Sequence, residues 1–411
     1  MRVVGIIAEF NPFHKGHKYL VDQVKHRLEP DAIIAVMSGN FVQRGEPAMW
    51  NKWVRARSAI ENGIDLVFEL PVCFATNSGE EFARGAIRTL KGLGVVTDLA
   101  FGSETGDKEG LENMAACLSS EDNSFSTHIK EALKTGLSYP AAYEKAFQIR
   151  FGEDPLSGAI LKGPNDILAL EYLKQNQLQD AKFNAFPIQR KGVGHDCGDT
   201  LEMYASASVI RKQIKQAKSF AVARIALPEK TFDVCANAHY LNEEDENRYF
   251  TMVRNALLNK TKEEIASLVS VSEGLENNFK KALIHANTTD ELIMNIKSKR
   301  HTYAKIARSL VHSVLDINKE MYEKIKYSNL TYGRVLAFNE KGSNILRILQ
   351  NGLSTIPIFT NLNKNVPEDA AEAFMLSLDC KASDMYSLIT GDSIYESSDF
   401  VKTPYISFLK E

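Results

Sequence analysis

The sequence predicts an α/β protein, with a parallel sheet covered on both faces in its first part and a mainly helical second part. Two observations predict this. Short apolar runs such as Val3–Ala8 and 32–37 alternate with helix-period segments over about the first hundred residues. Runs that are apolar at every position mark strands buried on both faces, which is the habit of parallel sheets between helices. Beyond about Gln216 the apolar spacing becomes that of amphipathic helices.

In chain order, Val3–Ala8 reads as the first strand and 17–28 as a helix. The run at 32–37 is a second buried strand, followed by a helix at 52–62. Leu66–Leu70 is a third strand, stopped by Pro71, and 78–93 a helix. A fourth strand over 95–101 ends at Gly102. Residues 123–151 read as a helix pair joined at Ser138-Tyr139-Pro140, and Gly163-Pro164-Asn165-Asp166 opens a helix to about Asn176. A strand at 181–187 precedes Arg190-Lys191, and Tyr204 to Arg211 begins another helix. Amphipathic helices follow at 242–259, 262–269, 273–286, Thr289–Ile296 and 303–314. Near the end, 334–338 and 355–359 are strand-like, with helices at 343–350 and 367–378. The expected domains are 1–225, a catalytic α/β unit; 226–330, helical; and 331–411, a C-terminal α/β subdomain.

A chain of 411 residues is long for one core. Its net charge of −3 carries no global basic signature, so any RNA contact must come from a local patch, and no DNA partner is expected. The cysteines, Cys73, Cys117, Cys197, Cys235 and Cys380, are scattered and never paired as CxxC. That pattern fits a reducing cytoplasm without disulfides or structural zinc. His195-Asp196-Cys197 has no second ligand pair at metal spacing, so no metal site is expected. Charges interrupt every apolar stretch before membrane-spanning length, and no signal peptide precedes the first strand.

The chemistry-bearing signal is VVGIIAEFNPFHKGH, an apolar strand running into Asn11-Pro12-Phe13 and then His14-Lys15-Gly16-His17. A strand that turns into a helix aims the first helical N–H groups and the positive dipole end at one point, which suits a phosphate. Gly16 would let a ligand approach the backbone. In a parallel sheet, ligands sit beyond the carboxyl ends of the strands. That rule gathers Asn11 to His17, Ser38-Gly39-Asn40, Glu69-Leu70-Pro71 and Gly102-Ser103-Glu104 on one edge. The loop at 38–50 is long and carries a lone Arg44, which marks it as functional.

Ser206-x-Ser208-x-x-Arg211 places hydroxyls at a helix start and a guanidinium one turn in, a second phosphate-binding arrangement. A plain serine cap with a surface arginine is the bland alternative. Lys297, Lys299, Arg300, Tyr303, Lys305 and Arg308 form the strongest local basic patch, with Tyr303 available to stack on a base; a solvated helix face is the alternative. Trp50 and Trp53 suit either nucleotide stacking or core packing.

The histidine motif resembles the HxGH signature of nucleotidyltransferases related to class I aminoacyl-tRNA synthetases, and the serine/arginine motif resembles their second signature. Over nearly the whole chain, GIIAEFNPFHKGH, MSGNFVQRGEPA, FGSE, GPNDILALEYLK, SASVIR and KRHTYAKIAR resemble the tRNA(Met) cytidine acetate ligase family. The resemblance implies a Rossmann-like nucleotidyltransferase domain. It also implies an activity: acetate is activated with ATP to acetyl-adenylate, then passed to the wobble cytidine of elongator tRNA(Met) to give N4-acetylcytidine. It implies catalytic roles for His14, His17 and Arg211. It implies ATP contacts from Ile7, Ala8, Glu9, Phe10, Asn11, Pro12, His14, Gly16, His17, Leu20, Gly102, Asn165, Arg190, Lys191, Ser206 and Ser208. Mg²⁺ is expected with the ATP. Asn40 and Arg44 are candidates for the acetate pocket, and the basic patch for tRNA. Three alternatives stay open: an acetate ligase acting on a carrier-protein thiol, a cofactor nucleotidyltransferase, and a non-catalytic RNA-binding protein.

Overall fold

The computed structural model describes residues 1–119, 123–137, 139–152, 155–191, 201–272, 274–363, 367 and 369–408. Its strands are β1 (Val3–Ala8), β2 (Ala32–Ser38), β3 (Phe41–Val42), β4 (Glu46–Pro47), β5 (Leu66–Leu70), β6 (Asp98–Ser103), β7 (Asn184–Gln189), β8 (Gly333–Asn339), β9 (Ile358–Phe359) and β10 (Tyr405–Ser407). The main sheet runs β10-β8-β5-β2-β1-β6-β7, with β9 alongside β8; β3 and β4 form a separate hairpin. Neighbours are parallel except β5 and β8, where Val67 faces Ala337 antiparallel.

Register places the site. Ala8 pairs with Met37, and Ser38 with Leu70, so β1, β2 and β5 end level. On the other side Ser103 pairs with Gln189, which brings the ends of β6 and β7 together. The loops after these five strands therefore leave one edge of the sheet. The fourth strand starts at Asp98 rather than at 95.

β2 shows why the sheet is buried on both faces. Ile34 and Val36 belong to one apolar cluster, while Ile33, Ala35 and Met37 belong to the other, as the period of two requires. The first cluster also holds Val253, Leu310 and Met375 from the helices Glu243–Leu258, Tyr303–Leu315 and Ala370–Thr390. The helical second half thus packs on the same core as the sheet. Residues 331–411, expected as a subdomain of their own, instead supply β8, β9 and β10 to the main sheet. The sequence pattern marks these strands but carries nothing about which sheet they join. The helix expected at 367–378 runs on to Thr390. Among the described residues no helix is long and apolar enough to cross a membrane.

Candidate active site

The histidine motif closes on itself. His14 is the N-cap of helix α1 (Lys15–Leu28), with extended backbone at φ −115 and ψ 174. Its Nδ1 accepts from Gly16 N at 3.0 Å, and its own backbone N–H donates to His17 Nδ1 at 3.2 Å. Both Nδ1 atoms are acceptors, so each neutral ring carries its proton on Nε2. The rings stack with centroids 3.8 Å apart and 26° between planes. Burial, with Arg190 and Arg211 nearby, pushes His14 down to about 3. Burial, then His14 and Arg190, drive His17 well below its ordinary value. The result is two neutral Nε2–H donors side by side.

This differs from the bare helix terminus that the sequence suggests. The Lys15 amide donates to Ala226 O at 2.9 Å and the Gly16 amide to His14 Nδ1, so the first turn is largely capped. Gly16 answers to the ring rather than to a ligand. A Cβ there would stand 2.8 Å from His14 Cε1.

Asn11 is the junction of the site. Its Oδ1 accepts from Met49 N at 2.9 Å, and its carbonyl accepts from Arg211 Nη1 at 2.9 Å. Its Nδ2 is buried without a partner among the described residues. The two motifs therefore meet although 200 residues separate them. Arg211 Nη2 also pairs with Glu46 Oε1 on β4 at 2.6 Å. Ser206 caps the helix Ala207–Ala217 by accepting from Val209 N, and its hydroxyl lies 2.9 Å from that of Ser208. Phe10, at φ +47, packs edge-on against His17 with centroids 5.0 Å apart. Around this block Pro12 is buried, Ile7 lies in the core, and Ala8 and Leu20 pack on the opposite-face cluster.

A second group assembles at the ends of β6 and β7. Glu104, just past Gly102, accepts from both the backbone and the side chain of Asn165, whose Oδ1 receives Arg190 Nη1 at 3.4 Å. Asp166 accepts from the Ser103 hydroxyl and from the Glu104 and Thr105 amides. Arg190 Nε is buried without a partner among the described residues. The Lys191 ammonium lies 4.5 Å from the Tyr19 ring on α1, which meets Tyr204 at 6.4 Å. The FGSE and GPND segments are thus one interlocked loop pair, and Glu104 and Asp166 are its clasps.

Arg55 is a scaffold residue that sequence reasoning missed. It sits on helix α2 (Lys52–Glu61) and donates to the carbonyls of Trp50, Glu9, Ser38 and Gly39. It stitches the ends of β1 and β2 together, and burial pulls its pKa down to about 10. Nothing in its local pattern separates it from a solvated helix residue.

The candidate acetate residues divide. Asn40 is committed to the scaffold: its Oδ1 takes Lys52 N at 2.7 Å and its Nδ2 reaches Ser383 at 3.3 Å. Arg44 is exposed at the tip of the β3–β4 hairpin. Behind Asn40, the fully buried Lys52 ammonium bonds Glu69 at 2.7 Å and Asp399 at 2.7 Å. Burial works against that charge, yet Asp399 and Glu69 hold its pKa above the ordinary value. Trp50 is core, packed on Phe220 and Tyr240. Trp53 lines a groove of about 640 Å³ beside Arg57, Lys402 and Tyr405, which shares no residue with the histidine block.

The basic patch does not form one helix face. Lys297, Lys299 and Arg300 are exposed in the turn before the helix Tyr303–Leu315. The Tyr303 hydroxyl donates to Asp290, and Lys305 Nζ bonds Ser272 Oγ at 2.5 Å. Arg308 turns inward to the Gln43 carbonyl at 3.3 Å. Among the described residues no group of three or more His, Cys, Asp or Glu is placed to hold a metal ion. His195, Asp196 and Cys197 lie outside the described residues; Cys73, Cys235 and Cys380 are free thiols among the described residues.

The family model described as HIGH Nucleotidyl Transferase matches residues 1–399. The tRNA(Met) cytidine acetate ligase of Clostridium novyi (strain NT) is 36% identical over 407 residues, 98% of this chain and 99% of that protein. That of Clostridium tetani (strain Massachusetts / E88) is 35% identical over 99% of this chain and 100% of its own length. This chain belongs to the tRNA(Met) cytidine acetate ligase family. Its fold is also that of a solved relative, Thermotoga maritima TmcAL bound with alpha-thio ATP. That relative is 32% identical, with a TM-score of 0.88 over 99% of this chain and 100% of that one. The apo form of the same protein gives a TM-score of 0.90.

Proposed function

We propose that the chain is an ATP-dependent ligase that activates acetate and acetylates the wobble cytidine of elongator tRNA(Met). The observation that carries the reading is the stacked pair of neutral Nε2–H imidazoles, His14 buried and His17 half-buried, beside Arg211. Acetate is a poor acylating agent, and its oxygen must first be made a leaving group. One carboxylate oxygen attacks the α-phosphorus of ATP, the bond to the β-phosphate oxygen breaks, and pyrophosphate departs. Such transfer needs positioning and charge stabilisation rather than an enzyme-bound intermediate. His14 and His17 donate hydrogen bonds to the phosphate oxygens, and Arg211 supplies positive charge. The cytidine N4 amine then attacks the acetyl carbon, loses a proton, and AMP leaves. That amine is conjugated with its ring, so fixing its approach is most of the second step. The base must leave its stack to reach the site.

The residues present suit ATP. Asn11 Nδ2 and Arg190 Nε are buried donors with no partner among the described residues, the condition that a bound polar ligand relieves. Arg190, Lys191 and Asn165 serve the nucleotide side. Mg²⁺ would ride on the phosphates, as it usually does where the protein offers no full cage of oxygens, and would help neutralise the leaving pyrophosphate. The exposed Lys297, Lys299 and Arg300 turn is the proposed tRNA contact, and the cytoplasm the place where these substrates meet.

The test is incubation with ATP, labelled acetate and bulk tRNA, followed by nucleoside analysis. Label in N4-acetylcytidine is the expected result. Label on a protein thiol, or none in RNA, would contradict it.

A further inference from the structure

Apart from Arg190, for which Glu104 supplies a nearby countercharge, Arg308 differs from the other cations around the cleft. Arg211 is paired with Glu46, Arg55 with four carbonyls, and Lys52 with two carboxylates. The half-buried Arg308 makes one hydrogen bond among the described residues, to Gln43 O at 3.3 Å, and no ion pair. Nearby carboxylates are engaged elsewhere. Glu9 Oε1 accepts from Gln43 N at 2.8 Å, and Glu46 belongs to Arg211. One turn along the helix, His312 offers no countercharge either. Its Nε2 is 3.2 Å from the Thr76 hydroxyl, which already donates to Val72 O, so the ring donates there and stays neutral. Burial pulls the Arg308 guanidinium down to about 10, with no opposing charge to restore it. A guanidinium held partly out of water without an anion is costly, and the cost is removed when an anion arrives.

Its position gives the anion a role. Gln43 joins Arg308 to Glu9, which directly follows β1 and stands two residues before Asn11. The hairpin turn touches the helix directly: a Cβ on Gly45, at φ +82, would fall 2.2 Å from Arg308 N. The guanidinium is therefore linked through Gln43 to the residue that follows β1, on the side where the α-phosphate is expected, rather than out on the surface with Lys299 and Arg300.

We propose that Arg308 receives the carboxylate of the acid being activated. Its planar fork suits a carboxylate held by both oxygens, presented across the β3–β4 hairpin to the phosphate held by His14 and His17. This rests on the activity proposed above. Acetate then needs no donor from Asn40 and no cation from Arg44.

The experiment is acetate-dependent ATP–pyrophosphate exchange without tRNA, with tRNA binding measured in parallel, for wild type, Arg308→Gln and Arg308→Lys. Arg308→Gln is expected to raise KM for acetate about tenfold or more, with KM for ATP and affinity for tRNA unchanged. Arg308→Lys keeps the charge and loses the fork, so its rise is smaller, and it carries the test if Arg308→Gln does not fold. An unchanged acetate KM overturns the inference. So does exchange that survives while tRNA binding falls, since Arg308 would then hold an RNA phosphate. A wild-type protein without acetate-dependent exchange overturns the activity itself, which is a different failure.

Discussion

Two buried polar clusters sit at neighbouring strand ends, and they differ in charge balance rather than in complete hydrogen bonding, since Arg334 Nε, Arg334 Nη1 and Asp399 Oδ1 of the first also lack partners among the described residues. Around Lys52 the charges compensate each other. Lys52 lies between Glu69 and Asp399, and Arg334 donates to the Asp399 carbonyl at 3.1 Å. Around His14 the groups are left open among the described residues: two neutral Nε2–H donors, and Asn11 Nδ2 and Arg190 Nε without partners. Compensated charge fastens the fold, here by tying α2, β5 and the chain near Asp399 into one knot. The open donors around the histidines, with no carboxylate bonded to them, wait for a ligand. The difference gives a working rule for this chain, and Arg308 falls on the open side of it.

The largest expected effect is on the open cluster. His14→Ala or His17→Ala should lower adenylate formation by at least about a hundredfold, the scale of losing one transition-state donor, while the protein stays folded. His14→Ala also removes the cap of α1, at about 1 kcal/mol. Kinetics beside a thermal melt would separate the two. Comparable loss of activity and of fold in both variants would erase the distinction between the clusters.

On the compensated side, Lys52→Met leaves two buried carboxylates without their cation. The expected cost is about 3–5 kcal/mol of stability, read from a shifted denaturant midpoint at constant slope. A variant that melts like the parent would show that this cluster is not the fastening.

Acid should find both histidine sites. His14 and His312 lie at about 3 in the fold and near 6.5 when unfolded. Between those values the unfolded chain binds more protons, so stability is full above about pH 6.5 and declines as pH falls toward 3. The slope is at most about 1.4 kcal/mol per pH unit for each ring. In the same window kcat/KM for ATP should show no inflection near 6.5. An inflection there would mean that a site histidine starts the reaction charged.

The smallest effect belongs to the exposed turn. Replacing Lys297, Lys299 and Arg300 by alanine should weaken tRNA binding and flatten its salt dependence, with pyrophosphate exchange untouched. Equal salt slopes for mutant and parent would move the RNA contact elsewhere.

What could be read from the sequence follows from the range of each interaction. β1 and β5 have the limits that their apolar runs predict, because the pattern is local. The meeting of His14 with Arg211 was legible as two motifs, though not as the Asn11 carbonyl that joins them. Three features were illegible for one reason. The joining of β8 to β5, the role of Arg55 and the inward turn of Arg308 all depend on contacts across distant parts of the chain. Lys305 and Arg308 share a three-residue spacing, yet one bonds Ser272 and the other Gln43. Periodicity names a helix face without saying what stands opposite it.

The most direct measurement uses ATP labelled at the α-phosphate, acetate and no RNA, followed by separation of the nucleotides. Wild-type protein should form labelled acetyl-adenylate, and His14→Ala and His17→Ala, folded as the parent, should form none above background. Acetyl-adenylate from the histidine variants at the parental rate would contradict the assignment of adenylate chemistry to the open cluster.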